Sequence, residues 1–406
     1  MIETFDDAYP TEKVHEGKVE VIVPKLDAFV SKASDYAPSK APVFYNPVME
    51  LNRDIAVLAV KTYQKMIDKE ISICEPLTSS GIRAVRLGVE VSNIEQIVIG
   101  DISQKAIQLA NLNVKLNGLE EIISVNHMEA NLLLSQYGVP CKRFDVIDVD
   151  PFGSPVPYLD TSLRALRNNG LLALTATDLA PLCGVHSRAC RRKYGGTPLR
   201  TEYCHELAIR LLIGCVAATA AKYDIGLRVL FSHSNDHYIR VYTQIKYGAK
   251  KGDASIGTLG YILHCFNCFH REFTKNPFSK NIKNCPECNS EMNWAGPLWL
   301  GEIFEEHFCE LLAEENRRIA LRNSGKISKM ITLVKDEVAE VATYYVIDKI
   351  SDKLSLPVPS VFSLIQKLRE KGFRAIPTHF NSRGIRSNAP ALTIRESIKE
   401  LVLTTT

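Results

Sequence analysis

The chain has 406 residues, 46% of them hydrophobic and 23% charged, with a formal net charge of +3. That length exceeds what one hydrophobic core usually serves and predicts two domains; the composition excludes a disordered or low-complexity chain. The net charge is too small for whole-molecule attraction to a polyanion, so such binding would have to come from local clusters.

The N-terminus reads MIETFDDAYP. It lacks the basic and apolar regions of a secretory signal, and its acids argue against a transit peptide. The longest apolar run, around Leu211–Ala221, falls short of the ~18 residues a membrane span needs and reads as a buried helix. A soluble cytoplasmic protein with reduced thiols follows, with no protein partner evident. Of the 11 cysteines, Cys74, Cys141, Cys183, Cys190, Cys204, Cys215 and Cys309 are scattered and read as small buried hydrophobes.

From about Asn52 to Gln244 short apolar runs alternate with helical patterns. Ile71–Glu75, Gln96–Asp101, Phe144–Asp150 and Leu171–Thr177 read as buried strands. Asp54–Met66, Ile102–Asn117 and Tyr158–Arg167 read as the helices between them. This alternation predicts an α/β fold, a mostly parallel sheet with helices on both faces. Arg228–Ser232 and Ile239–Ile245 flank a turn at Asn235–Asp236 and predict a hairpin that closes the sheet. Beyond Lys250-Lys251-Gly252-Asp253 the character changes, which sets a boundary near 247: residues 1–246 form the first domain and 247–406 a smaller α+β domain.

In the first domain, small residues follow Glu75 in Thr78-Ser79-Ser80-Gly81, where backbone can approach a ligand and a helix can start close to the sheet. Asp101 ends the next strand 26 residues after Glu75, near the spacing at which an acid meets ribose hydroxyls. There is no GxGxxG. The third strand is more specific: Asp145-Val146-Ile147-Asp148-Val149-Asp150 runs into Pro151-Phe152-Gly153-Ser154-Pro155. An acid, a proline and an aromatic at a strand end form a compact site for methylating an exocyclic amine such as that of guanine. That nitrogen is a poor nucleophile because its lone pair is delocalised into the ring. Asp150 and the Pro151 carbonyl can accept its two N–H groups, and Phe152 can stack on the extruded base. Asp145 and Asp148 read as structural.

The strings Phe44-Tyr45-Asn46-Pro47-Val48-Met49, Asn52-Arg53-Asp54, Ser80-Gly81-Ile82-Arg83, Asp150–Pro155, Thr175-Ala176-Thr177-Asp178, Ala180-Pro181-Leu182-Cys183-Gly184, Arg188-Ala189-Cys190, Arg192-Lys193-Tyr194 and Asp236-His237-Tyr238 extend across roughly residues 43–250. In this order they resemble the tRNA (guanine-26-N2)-dimethyltransferases. The resemblance implies a class I, Rossmann-like methyltransferase fold, S-adenosyl-L-methionine as methyl donor, and one or two methyl transfers to N2 of a guanine in tRNA. By it Asp150 is the catalytic aspartate, Phe152 and Phe44 clamp the base, and Arg53, Arg83 and Asp101 contact the donor. Glu129-Ala130 stands where the family has Asp-Ala near the adenine, a departure at the acid.

Cys265-x-x-Cys268 and Cys285-x-x-Cys288, 16 residues apart, have the spacing of a zinc ribbon, placing a structural Zn2+ module at about 262–292. His264 and His270 beside it read as surface residues. Residues 186–200, HSRACRRKYGGTPLR, carry Arg188, Arg191, Arg192, Lys193 and Arg200 and no acid, which suits phosphate contact. A helix at Val361–Lys371, a strand and a basic loop holding Arg383 and Arg386 resemble a winged-helix tail, a second tRNA-contact candidate. Two other readings stay open: a DNA amino-methyltransferase, whose site usually reads DPPY where this chain has Phe152-Gly153, and a zinc-ribbon nucleic-acid-binding protein with a vestigial methyltransferase domain.

Overall fold

The computed structural model describes residues 9–30, 37–235, 237–277, 284–338 and 342–403. Its strands are β1 (Thr11–Glu16), β2 (Val19–Pro24), β3 (Ile71–Glu75), β4 (Ile94–Asp101), β5 (Ile123–His127), β6 (Phe144–Val149), β7 (Leu166–Ala176), β8 (Ile225–Asn235), β9 (Tyr238–Tyr247), β10 (Leu259–His264), β11 (Arg271–Thr274), β12 (Asn293–Trp299), β13 (Tyr345–Val346), β14 (Ala375–Thr378) and β15 (Asn381–Ser387). The main sheet has the order β5-β4-β3-β6-β7-β9-β8. By packing, the chain divides into two compact units: residues 1–150, 160–173 and 311–328, and residues 151–159, 174–310 and 329–406.

In the first unit β3 pairs in parallel with β4 and β6, and β4 with β5. The chain steps outward from β3 through β4 to β5 and then returns to the other side of β3 with β6. That reversal opens a crevice at the carboxyl ends of β3 and β6, where open α/β sheets bind their ligands. Every residue of β3 and β6 is buried, as strands covered on both faces require. The helices Glu50–Ile67 and Gln104–Leu116 account for the periodicity seen in the sequence, and Ile82–Glu90 is the helix expected to start after Gly81. The hairpin β1–β2 was also unforeseen. Its buried Glu16 accepts hydrogen bonds from Arg53 and Arg86, and Asp54 pairs with Arg86. Gly17 holds φ +59 against these side chains, where a Cβ would clash. Strand β7 starts at Leu166, five residues before the expected start, and includes Asn168-Asn169-Gly170, residues that propensity alone keeps out of strands.

In the second unit β8 and β9 form the expected hairpin; Asp236 of its turn lies outside the described residues. The helix Cys204–Ala221 is long and apolar enough to cross a membrane by composition, but 72% of its window is buried inside the protein. It packs on β8 and also on β12. Thus the end of the main sheet at Tyr247 is a change of sheet and not a break in packing. Strands β11-β10-β12 form a small antiparallel sheet that carries the cysteines; residues 278–283 of this module lie outside the described residues. Further on, β13 leads to helices Ile347–Leu354 and Val361–Glu370, then to β14 and β15, in sheet order β13-β15-β14. Two helices are thus followed by a hairpin whose last strand lies centrally in the sheet.

Candidate active site and metal centre

The crevice is built from strand ends. Glu75, 3% exposed, closes β3, and Thr78 donates its hydroxyl to the Glu75 carboxylate at 3.0 Å. The following turn needs left-handed backbone, at Ser79 with φ 51° and Gly81 with φ 77°; a Cβ on Gly81 would press on Ala110. At the end of β4, Asp101 accepts the Ser79 amide with one oxygen and the Ser103 amide with the other, both at 2.9 Å. Ser79 also donates to the carbonyl of half-buried Phe44 at 2.7 Å. At the end of β5, Glu129 caps the next helix by accepting the Leu132 amide, with Ala130 buried behind it.

Arg83 is the centre of the site. Its guanidinium donates to Asp148 at 3.0 Å and to the Asn52 side-chain oxygen at 3.1 Å, contacts Glu75 at 3.4 Å, and pairs closely with Asp150. One cation thus faces three acids. Burial, aided by Asp148 and Asp150, pushes Glu75 up to about 8 against the pull of Arg83 and Thr78. Three carboxyl groups around a single guanidinium suit a cationic ligand. Asp148 therefore joins the cluster around Arg83, although in the sequence it reads as structural. Its signal is alternation: Asp148 in β6 and Asp150 just past its end are two residues apart and fall on the same side. Asp145, by contrast, pairs with Lys69 and Arg167, in keeping with a structural role.

Arg53, expected at the cofactor, lies 5% exposed and donates both Nε and Nη2 to Glu16 at 2.6 Å. Its guanidinium is engaged in an internal ion pair that ties the N-terminal hairpin down. Pro151 is buried and Phe152, next in the chain, is 71% exposed, an apolar ring left open to solvent. Gly153 then turns the chain with φ +88.

Among the basic candidates, Arg188, Arg191, Arg192 and Lys193 all lie exposed on the helix Ser187–Tyr194, with Lys193 paired to Asp178. Arg383 is half-buried and pairs with Asp348 at 2.9 Å. Arg386 requires a correction. It is 2% exposed and its guanidinium is shared between buried Glu206 and Glu337, so it supports the core and is not open to a phosphate.

The four cysteine sulfurs all lie within 4.8 Å of one another, with Cys265–Cys288 and Cys268–Cys285 at 3.4 Å. A tetrahedral zinc site places its sulfurs about 3.8 Å apart, so this donor set fits that ion with no open position. The two halves repeat one another. Phe269 donates to the Cys265 carbonyl and Asn289 to that of Cys285, and both adopt left-handed φ, 68° and 57°. Contrary to expectation His264 is fully buried, edge-on to Tyr203 and Phe266. Half-buried His270 lies between Glu272 and Glu287. Cys183 and Cys204, distant in sequence, also meet: the Cys183 thiol donates to the Cys204 carbonyl at 3.6 Å.

Residues 17–399 match the model of the family described as N2,N2-dimethylguanosine tRNA methyltransferase. The tRNA (guanine(26)-N(2))-dimethyltransferase of Methanobrevibacter smithii is 41% identical over 97% of this chain and 99% of its own length. The tRNA (guanine(26)-N(2)/guanine(27)-N(2))-dimethyltransferase of Aquifex aeolicus is 37% identical over 96% of both chains. The solved complex of Trm1 from Pyrococcus horikoshii with S-adenosyl-L-methionine superposes with a TM-score of 0.83 at 34% identity, covering 95% of this chain and 99% of that one. With the family model and these relatives spanning nearly the whole sequence, the chain belongs to the N2,N2-dimethylguanosine tRNA methyltransferases.

Proposed function

We propose that this enzyme transfers one or two methyl groups from S-adenosyl-L-methionine to N2 of guanine 26 in tRNA. The observation that carries the reading is the Arg83–Asp150 pair at the crevice end of β6, followed directly by Pro151 and exposed Phe152. The donor, when bound, supplies an electrophilic methyl group on a sulfonium. Asp101, at the end of β4, would meet the ribose hydroxyls and Glu129-Ala130 the adenine; the surplus of carboxyl groups around Arg83 favours the cationic part. Arg83 pairs with the Asp150 carboxylate and fixes its direction, leaving acceptor capacity for one amino N–H of the guanine. The Pro151 carbonyl accepts the other, which aims the nitrogen lone pair. Phe152 and Phe44 stack on the base once it leaves its helix, at about 1–3 kcal/mol per contact. After transfer the nitrogen sheds a proton toward Asp150.

Exposed Arg188, Arg191, Arg192 and Lys193, with Arg383 as a lesser contributor, serve the tRNA phosphates. Residues 247–406 act as the tRNA-binding domain, with the zinc module as a structural staple and the winged-helix unit as its tail. A tRNA substrate places the enzyme in the cytoplasm. A labelled-methyl assay on tRNA and on duplex DNA tests the reading. Label in tRNA alone, lost with Asp150→Ala, is the expected result; label in DNA alone would replace it with the DNA amino-methyltransferase reading.

A further inference from the structure

We infer that Thr177, Asp178 and Tyr194 are positioning residues for methyl transfer, holding the Asp150–Pro155 loop in its working geometry and joining it to the basic helix. The inference rests on the function proposed above and concerns residues that make no contact with the reacting atoms.

The loop needs support from outside itself. Phe152 is 71% exposed, and Gly153 holds φ +88 with no atom within 4 Å of where a Cβ would stand. A glycine in open space has many conformations available. The structure restricts it with two reciprocal hydrogen bonds: the Gly153 amide donates to the Thr177 hydroxyl at 2.7 Å, and the Thr177 amide donates to the Gly153 carbonyl at 2.9 Å. This fixes the residue directly after Phe152 and two after the Pro151 carbonyl. Asp178, the next residue after Thr177, is in turn held from the basic helix. Tyr194 is 3% exposed and donates to the Asp178 carboxylate at 2.5 Å, while Lys193 contacts the same carboxylate at 2.9 Å.

Thr177 and Asp178 directly follow β7, a rigid strand; Tyr194 is the last residue of the helix that exposes Arg188, Arg191 and Arg192. The loop is thus braced by the segment that leaves β7, and that segment is held by the basic helix through Asp178. Phosphates gripped by that helix would be held at a fixed distance from Phe152. A displacement of about 1 Å in such a site costs as much as 10²-fold in rate.

Thr177 is exposed, so its replacement leaves the core untouched. The experiment compares Thr177→Val, which keeps the shape and removes the acceptor, with Thr177→Ser, which keeps it. The expected result is a fall in kcat of about 10-fold or more for Thr177→Val. KM for tRNA and SAM affinity should stay within twofold, melting should be unchanged, and Thr177→Ser should recover most of the loss. Tyr194→Phe should fall in the same way, kcat before KM. An active wild type with Thr177→Val at full kcat, or Thr177→Ser no better than Thr177→Val, would overturn the inference. A wild type that does not methylate tRNA would instead remove the function on which it rests.

Discussion

Replacing Arg386 with methionine separates two roles that the sequence alone confused. In the structure this guanidinium lies between Glu206 and Glu337, both 3% exposed or less. Arg210 remains beside Glu206 and His379 beside Glu337 in the variant, so each carboxylate loses part of its compensation. Breaking a buried ion pair by removing one partner costs about 3–5 kcal/mol. The titration of Glu337 points the same way. Against burial, which raises it, His379 and Arg386 hold Glu337 down to about 2 from 4.5. At 1.36 kcal/mol per pKa unit that depression corresponds to roughly 3 kcal/mol, of which only the share due to Arg386 is lost while His379 stays. A depressed carboxyl stabilises the fold above its unfolded value and loses that contribution as pH falls toward 2. The gap between wild type and Arg386→Met should therefore be full at pH 7 and shrink below pH 4. Urea unfolding followed through Trp294 and Trp299, the only two tryptophans, reads the unit in which Arg386 sits. Unchanged stability, together with a salt dependence of tRNA binding shallower by about one phosphate, would refute the burial argument and return Arg386 to the RNA surface.

Asp150→Asn should lower methyl transfer by about 10²–10⁴-fold while calorimetry finds SAM affinity close to wild type; more than a tenth of wild-type turnover would remove Asp150 from its role. Charge reversal at Arg191 and Arg192 should weaken tRNA binding and flatten its dependence on salt without touching SAM binding. Elemental analysis should find one zinc per chain, and Cys268→Ser should lose the metal and destabilise the module; metal-replete protein without zinc would contradict this. Glu75, raised from 4.5 to about 8, favours the fold fully below pH 4.5 and loses that effect as pH rises through 8. Glu75→Gln should therefore flatten the stability profile between those limits, and an unchanged profile would show that the carboxyl is not held protonated.

Much of the first unit was legible because its strands are short, fully apolar and end in acids. Ile71–Glu75 was read to the residue, and Asp101 and Asp150 fell at strand ends as their spacing implied. The four cysteines were legible because ligand spacing survives whatever surrounds it. What escaped depended on contacts between distant residues. Arg386 read as a phosphate contact, and the Glu16 partner of Arg53 went unseen, because a guanidinium in a motif or a basic run gives no sign of its partner. Glu16 lies 37 residues from Arg53 and Glu206 180 residues from Arg386. His264 looked exposed beside the cysteines, but its rank in β10 turns it inward. Thr177 and Tyr194 lay in recognised strings without a role, since only the fold shows that Thr177 holds the loop and Tyr194 holds the Asp178 beside it.

The central claim is best tested by digesting tRNA treated with the enzyme and SAM and mapping the modified nucleosides by mass. The account predicts N2-methylated guanine at position 26, absent when Asp150→Ala replaces the wild type. Methyl groups found elsewhere than on a guanine N2, or a product that persists with Asp150→Ala, would contradict it.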